Sequence, residues 1–461
     1  MGGNSRLKSK YVGFYDLERD MRGMAFTKAT AAGAGVALLT SGCLSSGSSN
    51  DAGGGSSAGT AKSEVSIMFG FGGDQTQGFK DSLEPWAKTN NIKIKYIQAA
   101  SFDTLIRSSV AGNNAPDIAL FPQPGLLKDI QKQKKLQPLD DVLDMKKLES
   151  SIVPGLLDAA AVDGKRYGVP VSMNFKSLVF YNKPAFTAAG YTVPKTIDEL
   201  VALTDKIKAD GTTPWCVGLE SGPATGWPGT DWIEELVLKQ SGPEVYDKWV
   251  NGEVKFSDPQ IKAAFDTYSK LILTPGNTFG GAKSIVSTAF GTAANPMFTS
   301  KPGCFLHKQG NFVTQKGFLS EAIRAKIDTN LGVFPFPKGK FDTVETGGDL
   351  AAMFTKGDSN VTKVIKELTE NPAFGAAWAG PADRGFISPH KDFDVSKYGN
   401  EVTRSIARNA YSATGIRFDG SDSMPAKVGA GSFWKGMVAY SSGQQDQDAT
   451  LKAIEESFPK K

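Results

Sequence analysis

From Glu64 onward, short buried strands and amphipathic helices take turns, and that alternation restricts the fold more than any other property of the chain. EVSIMFGFGG (64–73) reads as a buried strand running into a glycine turn, with DQTQGFKDSLEPWAKTN (74–90) as the amphipathic helix after it. IKIKYIQA is an alternating strand, FDTLIRSSVAGN a second helix, and PDIALF a short buried strand stopped by Pro122. Strands alternating with helices predict an α/β fold with largely parallel sheets. LQPLDDVLD, DGKRYGVPVSM and SLVFYNKPAF then carry the chain through an extended crossover. A helix returns from Ile197 to about Lys208, and the middle third is helical with long loops. LGVFPFPKG (331–339) and GGDLAAMF (347–354) read as strands, and the last hundred residues or so as mainly helical.

The N-terminus has a different character. Basic Arg19, Arg22 and Lys28 precede a small, apolar stretch at 29–39, and Thr40-Ser41-Gly42 supplies the small residues of a processing site before Cys43. Met21 and Met24 offer alternative starts. Residues 45–62, opening SSGSSNDAGGGSSAG, lack apolar content able to pack and read as a flexible tether. Signal, cysteine and tether together resemble a bacterial lipoprotein, which implies a signal peptide over 1–42, lipidation at Cys43 and a tether over 43–62. An ordinary signal cleaved nearby, with Cys43 free, and a short buried helix are the alternatives.

Residues 1–42 hold six of the 52 Lys and Arg and three of the 48 Asp and Glu, which leaves 46 against 45 over the remaining 419 residues. A balance that close predicts no nucleic-acid surface, which would show clustered excess base, and suits a neutral partner. The length exceeds what one core usually supports, so two lobes are expected. No apolar run reaches the roughly 20 residues that span a bilayer. Cys216 and Cys304 are the other cysteines, and in an exported chain they are expected to pair; two separate buried thiols is the alternative.

Enzyme signatures fail on inspection. The two histidines, His307 and His390, lie in no metal-ligand spacing, so no metal is expected. Gly55-Ser56-Ser57-Ala58-Gly59 matches a nucleophile elbow by letters, but within the tether and without a flanking strand or helix. After Gly70-Phe71-Gly72, Gln75 stands where a dinucleotide loop needs its third glycine, and no phosphate loop follows, so no cofactor is expected. Carboxylates are plentiful, yet nothing marks two of them as a glycosidase pair.

PDIALF, GVPVSMNFKSLVFYNKPAFTAAGY, the Trp215–Trp232 stretch, TGGDLAAMF and DRGFISPHKDF resemble landmarks of the carbohydrate-binding extracellular solute-binding proteins of bacterial ABC importers. Within that group, PWCVGLESGPATGWPGTDWIEELVL and KPGCFLHKQGNF look most like α-glucoside-binding members. The resemblance implies a two-lobed periplasmic-binding-protein-like fold with a hinge and an interlobe ligand cleft. It assigns 63–172 plus about 335–380 to an N-terminal lobe and 173–334 plus about 381–461 to a C-terminal lobe. It further implies a monomeric, lipid-anchored receptor on the extracellular side of the cell membrane, which delivers an oligosaccharide to ABC permease subunits and catalyses nothing. A secreted glycan-active enzyme such as a glycosidase, and a surface lipoprotein without a small ligand, are the rival readings.

A neutral saccharide offers apolar ring faces and a rim of hydroxyls, so aromatic side chains beside Asp, Asn, Gln, Arg or Lys are the residues to find. ESGPATGWPGTDW supplies Trp227 as a stacking platform between Gly226 and Pro228, with Asp231 as rim contact or helix N-cap; Trp232 is core or contact. Asp74 and Gln75 follow the Gly72-Gly73 turn, Phe121 ends a strand, and Asn174 and Lys176 lie at the crossover between lobes. Gln309 and Asn311, with Phe312 beside them, Asp349 after Gly347-Gly348, and Trp378 and Arg384 around AGPAD complete the candidates, each with a packing or capping alternative. Arg417-Phe418-Asp419 reads as a structured turn.

Overall fold

The computed structural model describes residues 61–460. The signal, Cys43 and the tether up to residue 60 lie outside the described residues, and no described helix is long and apolar enough to cross a membrane.

The first strand, Glu64–Phe69, buries nearly every side chain, and the helix Gly73–Thr89 lays Phe79, Leu83 and Ala87 on it at a spacing of four. Repetition of that unit builds a sheet in the order Lys93–Gln98, Glu64–Phe69, Ile118–Phe121, Leu350–Met353, Val169–Pro170. Its first three strands run parallel. Of the last two, Leu350–Met353 returns from the far lobe instead of through a packed helix and pairs antiparallel on both sides, so Val169–Pro170 runs in the same direction as the first three.

A second sheet, Leu331–Pro335, Leu178–Asn182 and Leu306–Lys308, is antiparallel throughout. The largely parallel arrangement expected from the sequence therefore holds for the opening βαβαβ run and not for this second sheet. Between the two sheets the chain crosses through a third, made of Asn174–Phe175, Val344–Gly347 and Ile416–Phe418. The chain crosses three times, from 170 to 178, from 335 to 350 and from 410 to 424, each time along one of these strands, so this sheet is the hinge.

Each main sheet has its own apolar core. Phe69, Phe79, Phe121, Leu350 and Ile406 sit in the first, and Trp215, Trp232, Trp249, Tyr268 and Phe433 in the second. The axis of the second core is the helix Trp227–Gln240, buried continuously from Pro228 to Lys239. Pro228 is tolerated because it stands in the first turn, where its missing N–H is not needed. The helix starts at Trp227 with Gly226 as N-cap, so Asp231 is an interior position and not the cap expected of it. Cys216 and Cys304, in the second lobe, are joined as a disulfide, with Cα atoms 5.6 Å apart.

Candidate functional site

The carboxyl ends of Glu64–Phe69 and Ile118–Phe121 deliver Gly70, Phe71, Pro122 and Gln123 to a cleft of about 530 Å³ between the lobes. The hinge brings Asn174, Lys176 and Gly347-Gly348-Asp349 to its floor, and the second lobe brings Trp227, Phe290, Phe312, Phe318 and Trp434. Two glycines make this convergence possible. Gly348 has φ +152°, and a Cβ there would stand 2.2 Å from the Ser172 carbonyl oxygen, so only glycine lets Asp349 lie beside Ser172. Gly226 has φ +116°, and a Cβ there would stand 2.3 Å from the Trp434 carbonyl oxygen, so the starts of two helices close on each other and both tryptophans reach the cleft.

Trp227 is half-buried, edge-on to Phe290 at 5.0 Å and to Phe312 at 6.0 Å, with its Nε1 donating to Ser221 Oγ at 3.1 Å. The Lys176 ammonium sits 5.0 Å from its ring centroid. The remaining indole surface lines the cleft.

Behind this surface lies a buried electrostatic block, forced by the helix Trp227–Gln240, which carries Asp231, Glu234, Glu235 and Lys239 where an ordinary core helix carries Leu. Buried charges need partners. Lys176 Nζ donates to Asp231 Oδ1 at 3.0 Å and to Asp419 Oδ2. Lys308 lies 3.5 Å from Glu345 and 3.9 Å from Glu235, and Lys239 lies 3.6 Å from Glu235. Ser177 Oγ donates to Glu235 at 2.7 Å, and the amide of Ser421 donates to Glu234 at 3.1 Å. Burial pulls the Lys176 ammonium down, but Asp231, Asp419 and Glu345 outweigh it and hold it well above its ordinary range. Asp419 is raised by burial and lowered more by Lys176, and stays ionised.

Asp231 is pushed up to about 6, by burial first. Glu234 and Glu345 are raised well above the carboxylate range, again by burial first. Asp231, Glu234, Glu235, Glu345 and Asp419 face the buried Lys176, Lys239 and Lys308. Asp231, Glu234 and Asp419 bring oxygens within 4.8 Å of one another, as a metal site would, but the Lys176 ammonium already bridges two of them.

Of the twelve ligand contacts expected from the sequence, Gln75, Asn174, Lys176, Trp227 and Asp349 line the cleft. The others lie behind it or away from it. Phe121 is fully buried against Phe102 at 5.3 Å, and Phe102 lines the cleft in its place. Asp231 is spent on Lys176. Asn311 braces the floor: its Oδ1 accepts from the Phe175 amide at 2.7 Å and its Nδ2 donates to the Gly385 carbonyl at 2.8 Å. Gln309 is buried and bonds the Gly310 amide. Trp378 is buried between Phe71 at 5.1 Å and Phe386 at 4.9 Å, and supports the Phe71 ring. Arg384 pairs with Asp81 of the first helix at 2.9 Å, and Asp74 is half-buried in that helix's first turn. Trp232 is core, packed on Trp215.

Phe71, Phe290, Phe318, Trp434, Asp419 and Asp422 also line the cleft without having been singled out as contacts. Asp419 and Asp422 both lie in the segment RFDGSD (417–422), whose first three residues read as a structured turn. A Ser-His-Asp set occurs elsewhere, at Ser151, His390 and Asp392, but one hydroxyl serves both partners: it donates to Asp392 and meets His390 Nδ1 at 2.7 Å. An acyl-transfer triad instead places the histidine between the other two.

Two α/β lobes, a hinge sheet crossed three times, and an aromatic cleft floored by carboxylates define a receptor that closes on a small solute. The chain belongs to the bacterial extracellular solute-binding protein family, whose model matches residues 72–373. It is 36% identical over 402 residues to the osmoprotective compounds-binding protein GgtB of Synechocystis sp., covering 87% of this chain and 93% of the relative. It is 34% identical over 396 residues to the alpha-glucosides-binding periplasmic protein AglE of Rhizobium meliloti, covering 84% and 85%. Among solved structures, a chitin oligosaccharide binding protein superposes with a TM-score of 0.70 at 19% identity, over 85% of this chain and 97% of that one, a likeness of fold.

Proposed function

We propose that this protein is the substrate-binding receptor of an ABC sugar importer, and that it captures an α-glucoside-type di- or oligosaccharide and hands it to the permease without chemical change. The observation that carries the reading is that the half-buried Trp227 face and the Asp349 carboxylate line one cleft, an apolar plate and a hydrogen-bond acceptor together. Pyranose rings present those two surfaces, and the acceptor side gains strength from its charge. The α-glucoside preference draws on the likeness to AglE and GgtB along most of the chain. Ligand bonded to both lobes only when they approach shifts the open–closed balance toward the closed form. We assign the anchoring to lipid at Cys43, and the soluble body to a monomer.

A thermal-shift panel of trehalose, maltose, sucrose, raffinose and maltotriose tests the reading. At least one α-glucoside raises the melting temperature in proportion to the logarithm of its concentration. No shift across the panel refutes the sugar assignment. Release of glucose from any of these sugars, abolished by changing one cleft carboxylate, refutes the non-catalytic one.

A further inference from the structure

The ionisable groups on the cleft wall are unevenly balanced. Asp103, Lys176, Asp349, Asp419 and Asp422 line it. Asp103 is paired with Arg107, and the Lys176 ammonium is consumed by Asp231 and Asp419. Asp349 and Asp422 form no ion pair among the described residues. One Asp349 oxygen accepts from Ser172 Oγ at 2.7 Å, and the other has no hydrogen-bond partner among the described residues. Asp422 stands beside Asp419, across from Gln123 of the first lobe, so the two carboxyls face the cleft from opposite lobes. The aromatic rings around them present π faces, which attract cations and offer nothing to an anion. No unspent cation lines the wall.

Resting on the sugar-receptor reading, we propose that Asp349 and Asp422 make the cleft a charge filter, which admits neutral and cationic glycosides and rejects anionic ones. A ligand carboxylate placed against Asp349 meets a like charge in a partly dry cleft with no counter-ion to offset it, and the Coulomb cost at roughly 6 Å and intermediate dielectric is on the order of a hundredfold in affinity. A ligand ammonium finds the free Asp349 oxygen and the flanking rings instead. Asp422 holds a proton, because burial and the neighbouring Asp419 raise it, and it can release that proton to solvent when a cation docks.

The test compares three probes built on one disaccharide by calorimetry at low salt: maltose, its glucuronosyl analogue with the terminal CH₂OH oxidised to carboxylate, and its glucosaminyl analogue. The same triplet built on trehalose is run alongside. The uronate binds about a hundredfold more weakly than the neutral sugar, the amine at least as tightly, and 0.5 M NaCl narrows the gap. Asp349→Asn reduces the neutral-to-uronate ratio, and Asp422→Asn weakens the amine relative to the neutral sugar, whatever they do to the neutral sugar itself. A uronate bound within threefold of the neutral sugar overturns the filter and leaves the receptor reading intact. So does a gap unchanged in Asp349→Asn and in salt, which marks steric exclusion. If neither neutral sugar nor amine binds, both readings fall together.

Discussion

Truncating Trp227 to alanine separates two roles that the structure gives one side chain. Inside the protein the indole makes a hydrogen bond to Ser221, edge contacts with Phe290 and Phe312, and a cation–π contact with Lys176. About 1 kcal/mol for the hydrogen bond, ~0.5–1.5 for each aromatic contact and ~0.5–2 for the cation–π contact give roughly 2.5–6 kcal/mol of stability. On the ligand side, a sugar ring covering roughly 80 Å² of indole contributes about 2 kcal/mol at ~25 cal/mol per Å², or about a thirtyfold change in affinity. Trp227→Ala therefore lowers both melting temperature and affinity for the best-binding α-glucoside. Trp227→Phe keeps a ring in place and loses much less of each. Calorimetry with paired thermal melts reads both quantities. An Ala variant that melts early yet binds within twofold of the parent refutes the platform and makes Trp227 a packing residue only.

Four further outcomes follow from the same geometry. Lys176→Met strands Asp231 and Asp419 in the interior and costs about 3–5 kcal/mol at pH 7; the loss is smaller at pH 5, where Asp231, pushed up to about 6, takes up a proton, and an equal loss at both pH values contradicts the pairing. Burial lifts Asp349 from 3.8 to about 6, against the opposing Ser172 hydrogen bond, so its stabilising protonated form is fully present below 3.8 and lost as pH rises through about 6. Asp349→Asn accordingly flattens the fall in melting temperature across that window, and an unchanged slope counts against the shift. Cys216 and Cys304, 88 residues apart, show no titratable thiol before reduction, and replacing both with serine costs up to about 4 kcal/mol; two free thiols in the native protein end this claim. Cys43→Ala moves the protein from the membrane fraction to the medium, and mass spectrometry of the parent finds a lipidated Cys43 at its N-terminus; an unmodified N-terminus elsewhere rejects the anchor.

The opening βαβαβ run was legible because its strands are nearly all apolar and the helix after Gly73 keeps a strict four-residue spacing. The antiparallel sheets were not, because pairing direction depends on how the chain returns from the other lobe, over separations that local periodicity does not record. The same limit divides the site. Gln75, Asn174, Lys176, Trp227 and Asp349 sit next to the turns and crossovers that mark strand ends, and so they could be found. Phe121 stood equally close to such an end, but Phe102 lines the cleft in front of it, as Phe71 does in front of Trp378, and both are left inside. Asp231 illustrates a subtler failure. Asp near a glycine-proline turn looks like a cap or a contact, and only the arrival of Lys176 and Asp419 from distant segments turns it into half of a buried ion pair.

A crystal structure of the protein with the α-glucoside that gives the largest thermal shift tests the central claim most directly. The account predicts a pyranose ring lying on the Trp227 face, hydroxyls within hydrogen-bond distance of Asp349, and side chains of both lobes in contact with the sugar. Sugar density elsewhere on the molecule, or a saturating ligand that leaves the cleft between Phe71 and Trp227 empty, contradicts it.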